Sequence, residues 1–69
     1  MLNQKGATMA TFTTSKGDRL TVWEDGTLSI KTHNGNTFIG FIVNGSKVTS
    51  TSILGRRVLE SAYIEYRRN

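Results

Sequence analysis

The stretch TFTTSKGDRLTVWEDGTLSIK, residues 11–31, decides the fold of this chain. It holds two polar clusters that end in glycine, Ser15-Lys16-Gly17 and Glu24-Asp25-Gly26, between short runs rich in the β-branched and aromatic residues that strands prefer. If each cluster is a three-residue hairpin loop with glycine in the left-handed conformation, both loops put Leu20 and Val22 on the same face. Because a one-residue slip would invert every side chain, this agreement predicts an antiparallel sheet with two defined faces.

The predicted register gives the first three strands an apolar inner face and a polar outer face. Its cross-strand pairs are Phe12 with Leu20, Ala10 with Val22, Val22 with Leu28 and Leu20 with Ile30. The inner face comprises Ala10, Phe12, Leu20, Val22, Leu28 and Ile30. The outer face is slightly basic and contains one large aromatic residue; it comprises Thr11, Thr13, Arg19, Thr21, Trp23, Thr27, Ser29 and Lys31.

The turn at residues 33–36 leaves two registers open for the fourth strand. A two-residue loop, the commonest choice, turns Ile39 and Phe41 inward and leaves Phe38 and Ile42 outside. A three-residue loop reverses the two pairs. In either register this strand is apolar on both sides, and a strand of that kind is covered on both faces. We therefore expect the outward pair to form an interface with a loop or with another chain.

After a short fifth strand the hydrophobic period changes from that of a strand to that of a helix. Between residues 54 and 66 the apolar side chains fall on one half of a helical wheel, namely Leu54, Val58, Leu59, Ala62, Tyr63 and Tyr66. Ser52 or Ser50 is a suitable N-cap. Arginines in the last turn suit the negative end of the helix dipole. The apolar stripe of this helix would cover the inner face of the sheet.

These patterns predict an α+β domain, an antiparallel β-meander closed by one C-terminal amphipathic helix packed on one face. Its four to five strands are expected at about residues 9–14, 18–23, 27–32, 36–43 and 46–50, and its helix at about 53–67. Residues 9–69 would form this single domain and residues 1–8 a disordered extension. A purine-rich coding stretch before Met9 would resemble a bacterial ribosome-binding site, so we expect Met9 to be the native start of a bacterial or phage protein.

Composition limits the class of protein. The 69 residues include no cysteine, which leaves no disulfide or thiolate metal site to stabilise a core of this size. Self-association is the remaining common means of stabilisation, so we expect a homo-oligomer. No apolar run is long enough to span a membrane and no signal-peptide pattern is present, so we expect a cytoplasmic protein. The net charge of +4 favours anionic partners.

The sequence contains no catalytic or metal-binding motif, so we expect neither an enzyme nor a cofactor. Asp18, Glu24 and Asp25 lie at or beside predicted turns, where local hydrogen bonding explains acidic residues. Glu60 is placed to pair with Arg56 or Arg57 on the helix. The glycines are isolated turn residues and not a phosphate-binding cluster that opens a helix.

The first functional hypothesis is a nucleic-acid-binding protein, either a single-strand binder or a regulator. Trp23 lies between Arg19 and Lys31 on the outer face, and an aromatic side chain beside basic residues suits the stacking of unpaired bases. Two arginine pairs on the exposed side of the helix could contact phosphates, namely Arg56, Arg57, Arg67 and Arg68. The plainer explanations are cross-strand packing for the tryptophan and solvation for the arginines.

The second hypothesis is a phage or mobile-element protein that inhibits a host protein by binding it through the apolar outer sheet face. The contact would then involve the outward pair of the fourth strand, Phe38 and Ile42 or Ile39 and Phe41. A third possibility is that this face only joins copies of the chain and that a ligand binds between subunits. Binding of nucleic acid, with its dependence on salt, distinguishes the first hypothesis from the other two.

Overall fold

The computed structural model describes residues 7–69 as a five-stranded antiparallel sheet followed by one helix. The strands are β1 (Thr8–Thr13), β2 (Arg19–Trp23), β3 (Thr27–Lys31), β4 (Thr37–Val43) and β5 (Lys47–Ser50), and the helix is α1 (Ile53–Arg68). Each strand pairs with its neighbours in the chain, so the sheet is a meander with β1 and β5 at its edges. Within these residues no helix is long and apolar enough to cross a membrane.

The predicted meander with a C-terminal helix is confirmed, and each predicted boundary lies within one residue of the observed one. β1 begins at Thr8, one residue earlier than expected, and the Glu24 N–H donates to the Ala7 carbonyl oxygen (3.0 Å). Residues 1–6 of the predicted extension lie outside the described residues. The hypothesis that Met9 is the native start stays a prediction.

The first two turns have the predicted geometry. Gly17 and Gly26 adopt φ values of 92° and 90°, in the left-handed region that glycine enters without a steric penalty. Their N–H groups donate to the carbonyl oxygens of Thr14 (2.9 Å) and Trp23 (3.0 Å). The four predicted cross-strand pairs are confirmed, namely Phe12 with Leu20, Ala10 with Val22, Val22 with Leu28 and Leu20 with Ile30.

The third turn is a three-residue loop, so the commoner two-residue choice is wrong and its alternative is confirmed. Thr32 and Asn36 close the loop, because the Thr32 N–H donates to the Asn36 carbonyl (2.8 Å) and the Thr32 Oγ1 accepts from the Asn36 N–H (3.0 Å). Gly35 takes the left-handed position with φ 94°. The turn therefore repeats the geometry of the first two.

This register decides which side chains of β4 face the helix. Phe38 lies opposite Ile30 and Gly40 opposite Leu28, so Phe38 and Ile42 point inward and pack against the core. They are therefore not available for the outer-face interface that the two-residue loop would have given them. Ile39 and Phe41 point outward.

The core lies between the inner sheet face and α1. Eight buried apolar residues form it: Leu20, Val22, Leu28, Ile30, Val48, Leu59, Ala62 and Tyr63. The helix packs chiefly on β4 and β5. Removing an aliphatic side chain of this size from water stabilises a fold by about 1.5–3 kcal/mol, so this small set supplies the main driving force for folding.

The helix approaches the sheet closely where two glycines meet it. Gly40 lies under Leu59, and a Cβ atom placed on Gly40 would come within 2.8 Å of the Leu59 Cδ1 and still closer to the Thr49 carbonyl oxygen. Gly55 is buried in the first turn of α1, where a Cβ atom would meet Phe38 at 3.0 Å. Gly40 has room for hydrogen only, whereas a side chain at Gly55 would require Phe38 to shift by a few tenths of an ångström.

The start of the helix agrees with the sequence at its cap and differs from it at Leu54. Ser52 is the N-cap, and its side chain accepts from the Gly55 N–H (3.0 Å). Leu54 was expected on the buried stripe but is 59% exposed. The face turned to the sheet contains Gly55 and Leu59, and Leu54 lies about 100° around the helix from Gly55. A glycine, not the neighbouring leucine, occupies the inward position because the helix is so close to the sheet.

We expect Gly40→Ala to destabilise the protein by about 1–3 kcal/mol, since the added methyl group has no space between Leu59 and β5. The control is Gly45→Asn. No atom lies within 4 Å of a Cβ placed on Gly45, so this variant meets only the strain of the left-handed φ, which asparagine tolerates better than most residues, and its loss should be smaller than that of Gly40→Ala. Chemical denaturation gives both values. Equal losses for the two variants would contradict the close helix–sheet approach.

Candidate nucleic-acid interface

The outer face of the sheet carries a pair of basic residues in direct cross-strand register. Arg19 on β2 lies opposite Lys31 on β3, and both are exposed. Side chains at such positions have Cβ atoms about 4.5–5.5 Å apart, and like charges there destabilise a sheet. Thr13 and Thr37 extend this row to the neighbouring strands and add two hydroxyl groups. The row is therefore a place where an anion would relieve repulsion.

A second row across the same face is aromatic. Phe41 on β4 pairs with Thr27 on β3, and Trp23 on β2 is the next residue along this row. Phe41 is 52% exposed, whereas Thr27 is buried although it lies on the same face, as expected for a small side chain between two large rings. Four residues separate this row from the Arg19–Lys31 row, which is about 14 Å along the strands.

The outward side of β4 is apolar along its length. Ile39, Phe41 and Val43 are respectively 50%, 52% and 40% exposed. Within residues 7–69 no element lies over them, because α1 packs on the opposite face. The cover that the sequence pattern requires for β4 is thus absent from the described part of the chain.

The charged side chains of the sheet are all basic. The five strands contain Arg19, Lys31 and Lys47 and no aspartate or glutamate. Lys47 lies opposite Val43, beside the apolar side of β4. The sequence did not identify Lys47 as a candidate binding residue, because it left the register of β4 and β5 open. Its place on the outer face follows once Val48, its neighbour, is seen to be buried.

Three carboxylates outside the strands make contacts in turns or on the helix side. The Asp25 Oδ1 accepts from the Thr27 N–H (2.9 Å), and Glu60 pairs with Arg56 at 3.7 Å. The Glu65 carboxylate accepts from the Ser15 N–H (2.8 Å) and so joins α1 to the β1–β2 loop. These contacts hold three carboxylates in turns and on the helix side, while the exposed Glu24 lies in the β2–β3 turn, next to Trp23.

Asp18 positions the two loops that flank the Arg19–Lys31 pair. Its buried Oδ1 accepts from the ring Nδ1 of His33 and from the His33 backbone N–H, both at 2.9 Å. Its own N–H donates to the Thr14 Oγ1 (3.1 Å). The hydrogen bonds from the His33 ring and backbone lower the pKa of Asp18, and burial opposes them. The carboxylate therefore fixes Arg19, which follows it, and Lys31, two residues before His33.

The four predicted helix arginines lie apart from this face. α1 packs on the inner side of the sheet, so its exposed side points away from Trp23, Arg19 and Lys31. Arg56 is paired with Glu60, and the Arg67 guanidinium lies over the Tyr63 ring at 5.7 Å. Arg57 and Arg68 line a shallow groove together with Ser15, Glu60, Ser61, Ile64 and Glu65. The structure thus separates the predicted binding residues into two groups on opposite sides of the domain, and the helix group is mixed in charge.

The described residues contain no cluster of three or more histidine, cysteine, aspartate or glutamate side chains that could hold a metal ion. Among these residues, the outer sheet face is the surface that combines exposed aromatic and apolar groups with unmixed positive charge.

We expect Asp18→Asn to reduce stability by about 1–3 kcal/mol at neutral pH, because the amide oxygen can still accept the His33 hydrogen bonds but lacks the negative charge that strengthens them, and the buried amide N–H groups need partners. The folded-state pKa of Asp18 lies below the ordinary value of an aspartate, because the His33 hydrogen bonds favour the charged carboxylate. Its contribution is therefore complete above that value and is lost as the pH falls through the folded-state pKa. Urea unfolding measured between neutral and strongly acidic pH should show a shallower acid dependence for the variant than for the wild type.

His33→Ala is the graded control for this prediction. It removes the ring hydrogen bond to Asp18 but keeps the one from the backbone, so its loss should lie between those of the wild type and Asp18→Asn. Identical acid dependence in all three proteins would contradict the role assigned to the Asp18 carboxylate.

Comparisons with known proteins find no family model, no curated protein and no solved structure that matches this chain. The geometry of the outer sheet face is therefore the basis for a functional proposal.

Proposed function

We propose that this protein binds single-stranded nucleic acid across the outer face of its sheet. The observation that carries the proposal is the half-exposed Phe41 on a face whose charged strand side chains, Arg19, Lys31 and Lys47, are all basic. Proteins that bind single strands combine aromatic platforms for the bases with positive charge for the backbone. Both features occur here on one surface.

Positive charge on this face supports a polyanionic partner. Arg19 and Lys31 stand opposite each other with no carboxylate in any strand, an arrangement that costs stability in the isolated protein. A phosphate group between them would remove that cost. The chain as a whole is also basic, with a net charge of +4, which favours encounter with an anion.

The shape of the face favours unpaired bases over a duplex. Phe41 and Trp23 can stack only with bases whose faces are free, and in a duplex these faces are covered by neighbouring base pairs. A duplex is commonly read by a helix in the major groove. Here the exposed side of α1 carries Glu60 and Glu65 between its arginines. A single strand of nucleic acid that lies over the outer sheet face would instead meet strands whose charged side chains are all basic.

Hydroxyl groups complete the polar part of this face. Thr11, Thr21 and Ser29 lie in one cross-strand row, between the basic row and the aromatic row. Short hydroxyl side chains donate to phosphate and sugar oxygens without selecting a base. Together with stacking, which is tolerant of base identity, they support binding with little sequence preference.

A protein partner is the second candidate, because Ile39, Phe41 and Val43 form an exposed apolar strip on one strand. Contacts of this type dominate the energy of protein interfaces when they fill a pocket on the partner. In that case the chain would act as an inhibitor or adaptor of bacterial or phage origin that blocks a host protein. Basic neighbours on both sides of the strip make nucleic acid the better-supported choice.

Stacking on Phe41 is tested with the Phe41→Ala variant. We expect it to weaken binding of a single-stranded oligonucleotide by about 1–3 kcal/mol, the usual worth of one stacked base. Ile64→Ala is the matched control, since Ile64 is 50% exposed on the helix side and its loss should leave affinity unchanged. Fluorescence anisotropy gives the affinity, and quenching of Trp23, the only tryptophan, reports contact with the face.

The basic row is tested by the dependence of affinity on salt. Each phosphate contact to a single strand contributes about 0.7 to the slope of log K against log salt. We therefore expect Arg19→Ala to lower that slope by about this amount, and Arg57→Ala on the helix side to leave it unchanged. An effect of Arg57→Ala alone would move the site to the helix. Absence of binding to single-stranded DNA and RNA at low salt would reject the proposal.

A further inference from the structure

β1 is an open sheet edge with hydrogen-bonding groups directed away from the protein. The Thr14 N–H donates to the Asp18 carbonyl (2.8 Å), and Phe12 pairs with Leu20 in the same register. In an antiparallel ladder the bonded residues alternate. The even-numbered residues therefore bond to β2, and the N–H and C=O groups of Thr11 and Thr13 point outward. No described element lies beside them.

The two edges of the sheet differ in their protection against strand pairing. β5 has four residues, carries Lys47 and leads directly into α1. Short length, lysine and an adjacent helix are common means of blocking an edge. β1 has six residues, TMATFT, with neither charge nor proline, and its irregularity is confined to the Thr8–Ala10 end. By this comparison β1 is the edge that accepts another strand.

A groove of mixed polar and apolar lining lies next to this edge on the helix side. Met9 is 61% exposed and lines a groove with Tyr63, Tyr66, Arg67 and Asn69. The groove is open because α1 packs chiefly on β4 and β5 and reaches β1 through the Tyr66 ring, whose centroid lies 5.8 Å from that of Phe12.

We propose that a second copy of this chain binds here, with the two β1 strands antiparallel about a two-fold axis. Such an interface is self-complementary, since the backbones of Thr11 and Thr13 both donate and accept, and it would also cover the exposed Met9 of each copy. Charge favours this site for a chain of net charge +4, because two uncharged β1 strands meet without opposing a basic strand residue. Pairing through β5 would bring two Lys47 residues together.

The expected dimer is weak and depends on concentration. Six residues extend about 20 Å, so the contact is at the small end of specific protein interfaces. It would join two sheets into one continuous surface and place two outer faces side by side. It does not depend on the proposed function, because nucleic acid takes no part in it.

The test is the mass of the protein in solution over a wide concentration range, in the absence of nucleic acid, by analytical ultracentrifugation. Wild type should pass from monomer to dimer. Thr11→Pro should remain monomeric, because it removes an outward N–H while leaving the even-numbered bonds to β2 in place. In the wild type, hydrogen exchange at the Thr11 and Thr13 amides should slow as the dimer forms.

Met9→Lys provides a second variant that leaves the β1 backbone unchanged. It should also weaken the dimer, because it replaces an exposed apolar side chain at the β1 edge with a positive charge in a groove that already contains Arg67. Ile53→Lys is the matched control: Ile53 is exposed at the start of α1, so the same change in charge and hydrophobicity should leave the mass unchanged. Circular dichroism confirms that each variant is folded.

Three results would overturn this inference. One is a wild type that stays monomeric at every concentration. Another is a dimer that survives both Thr11→Pro and Met9→Lys. The third is a dimer that dissociates in Phe41→Ala and not in the β1 variants, which would place the contact on the outer sheet face. None of the three bears on whether the monomer binds a single-stranded oligonucleotide.

Discussion

The structure depends on one repeated constraint, the three-residue turn that ends in a left-handed glycine. Gly17, Gly26 and Gly35 take φ values of 92°, 90° and 94°, a region that is costly for residues with a Cβ atom. Each turn contributes the same odd number of residues, so the even-numbered side chains of β1 to β4 stay on one face. The apolar core and the basic outer face are both consequences of that parity.

The second constraint is the close approach of α1 to the sheet. Leu59 rests over Gly40, where a side chain would leave it no space, and Gly55 lets the first turn reach Phe38. This contact holds the helix over β4 and β5. The helix therefore covers one side of the inner face more fully than the other. The exposed Met9 beside β1 is a result of the same packing.

Acidic and basic side chains are distributed differently over the two sides of the domain. Asp18 is buried under His33, while Asp25, Glu60 and Glu65 are engaged in turn and helix contacts. The strands keep only basic side chains, and a sheet face that also exposes Phe41 suits a polyanion with flat bases. The helix arginines do not extend this surface, since they lie on the opposite layer and alternate with carboxylates.

The sequence by itself determined the elements, their boundaries to within one residue and the register of the first three strands. These follow from local chemistry, namely strand-forming residues between turn-forming ones and a change of hydrophobic period at α1. It also placed Trp23, Arg19 and Lys31 on one face, because each depends only on its distance from the nearest turn.

Only the tertiary structure decided what depends on contacts between distant residues. Local preference left two registers open for β4, and the packing of Phe38 opposite Ile30 and of Ile42 opposite Val48 turned Ile39 and Phe41 outward. The tertiary structure exposed Leu54, because the nearness of α1 to the sheet requires Gly55 at the inward position. It also put the two basic groups on opposite sides of the domain. Hydrophobic periodicity says which side of a helix is buried, but the partner it packs against, and thus which way its charged side faces, is fixed only when the chain folds.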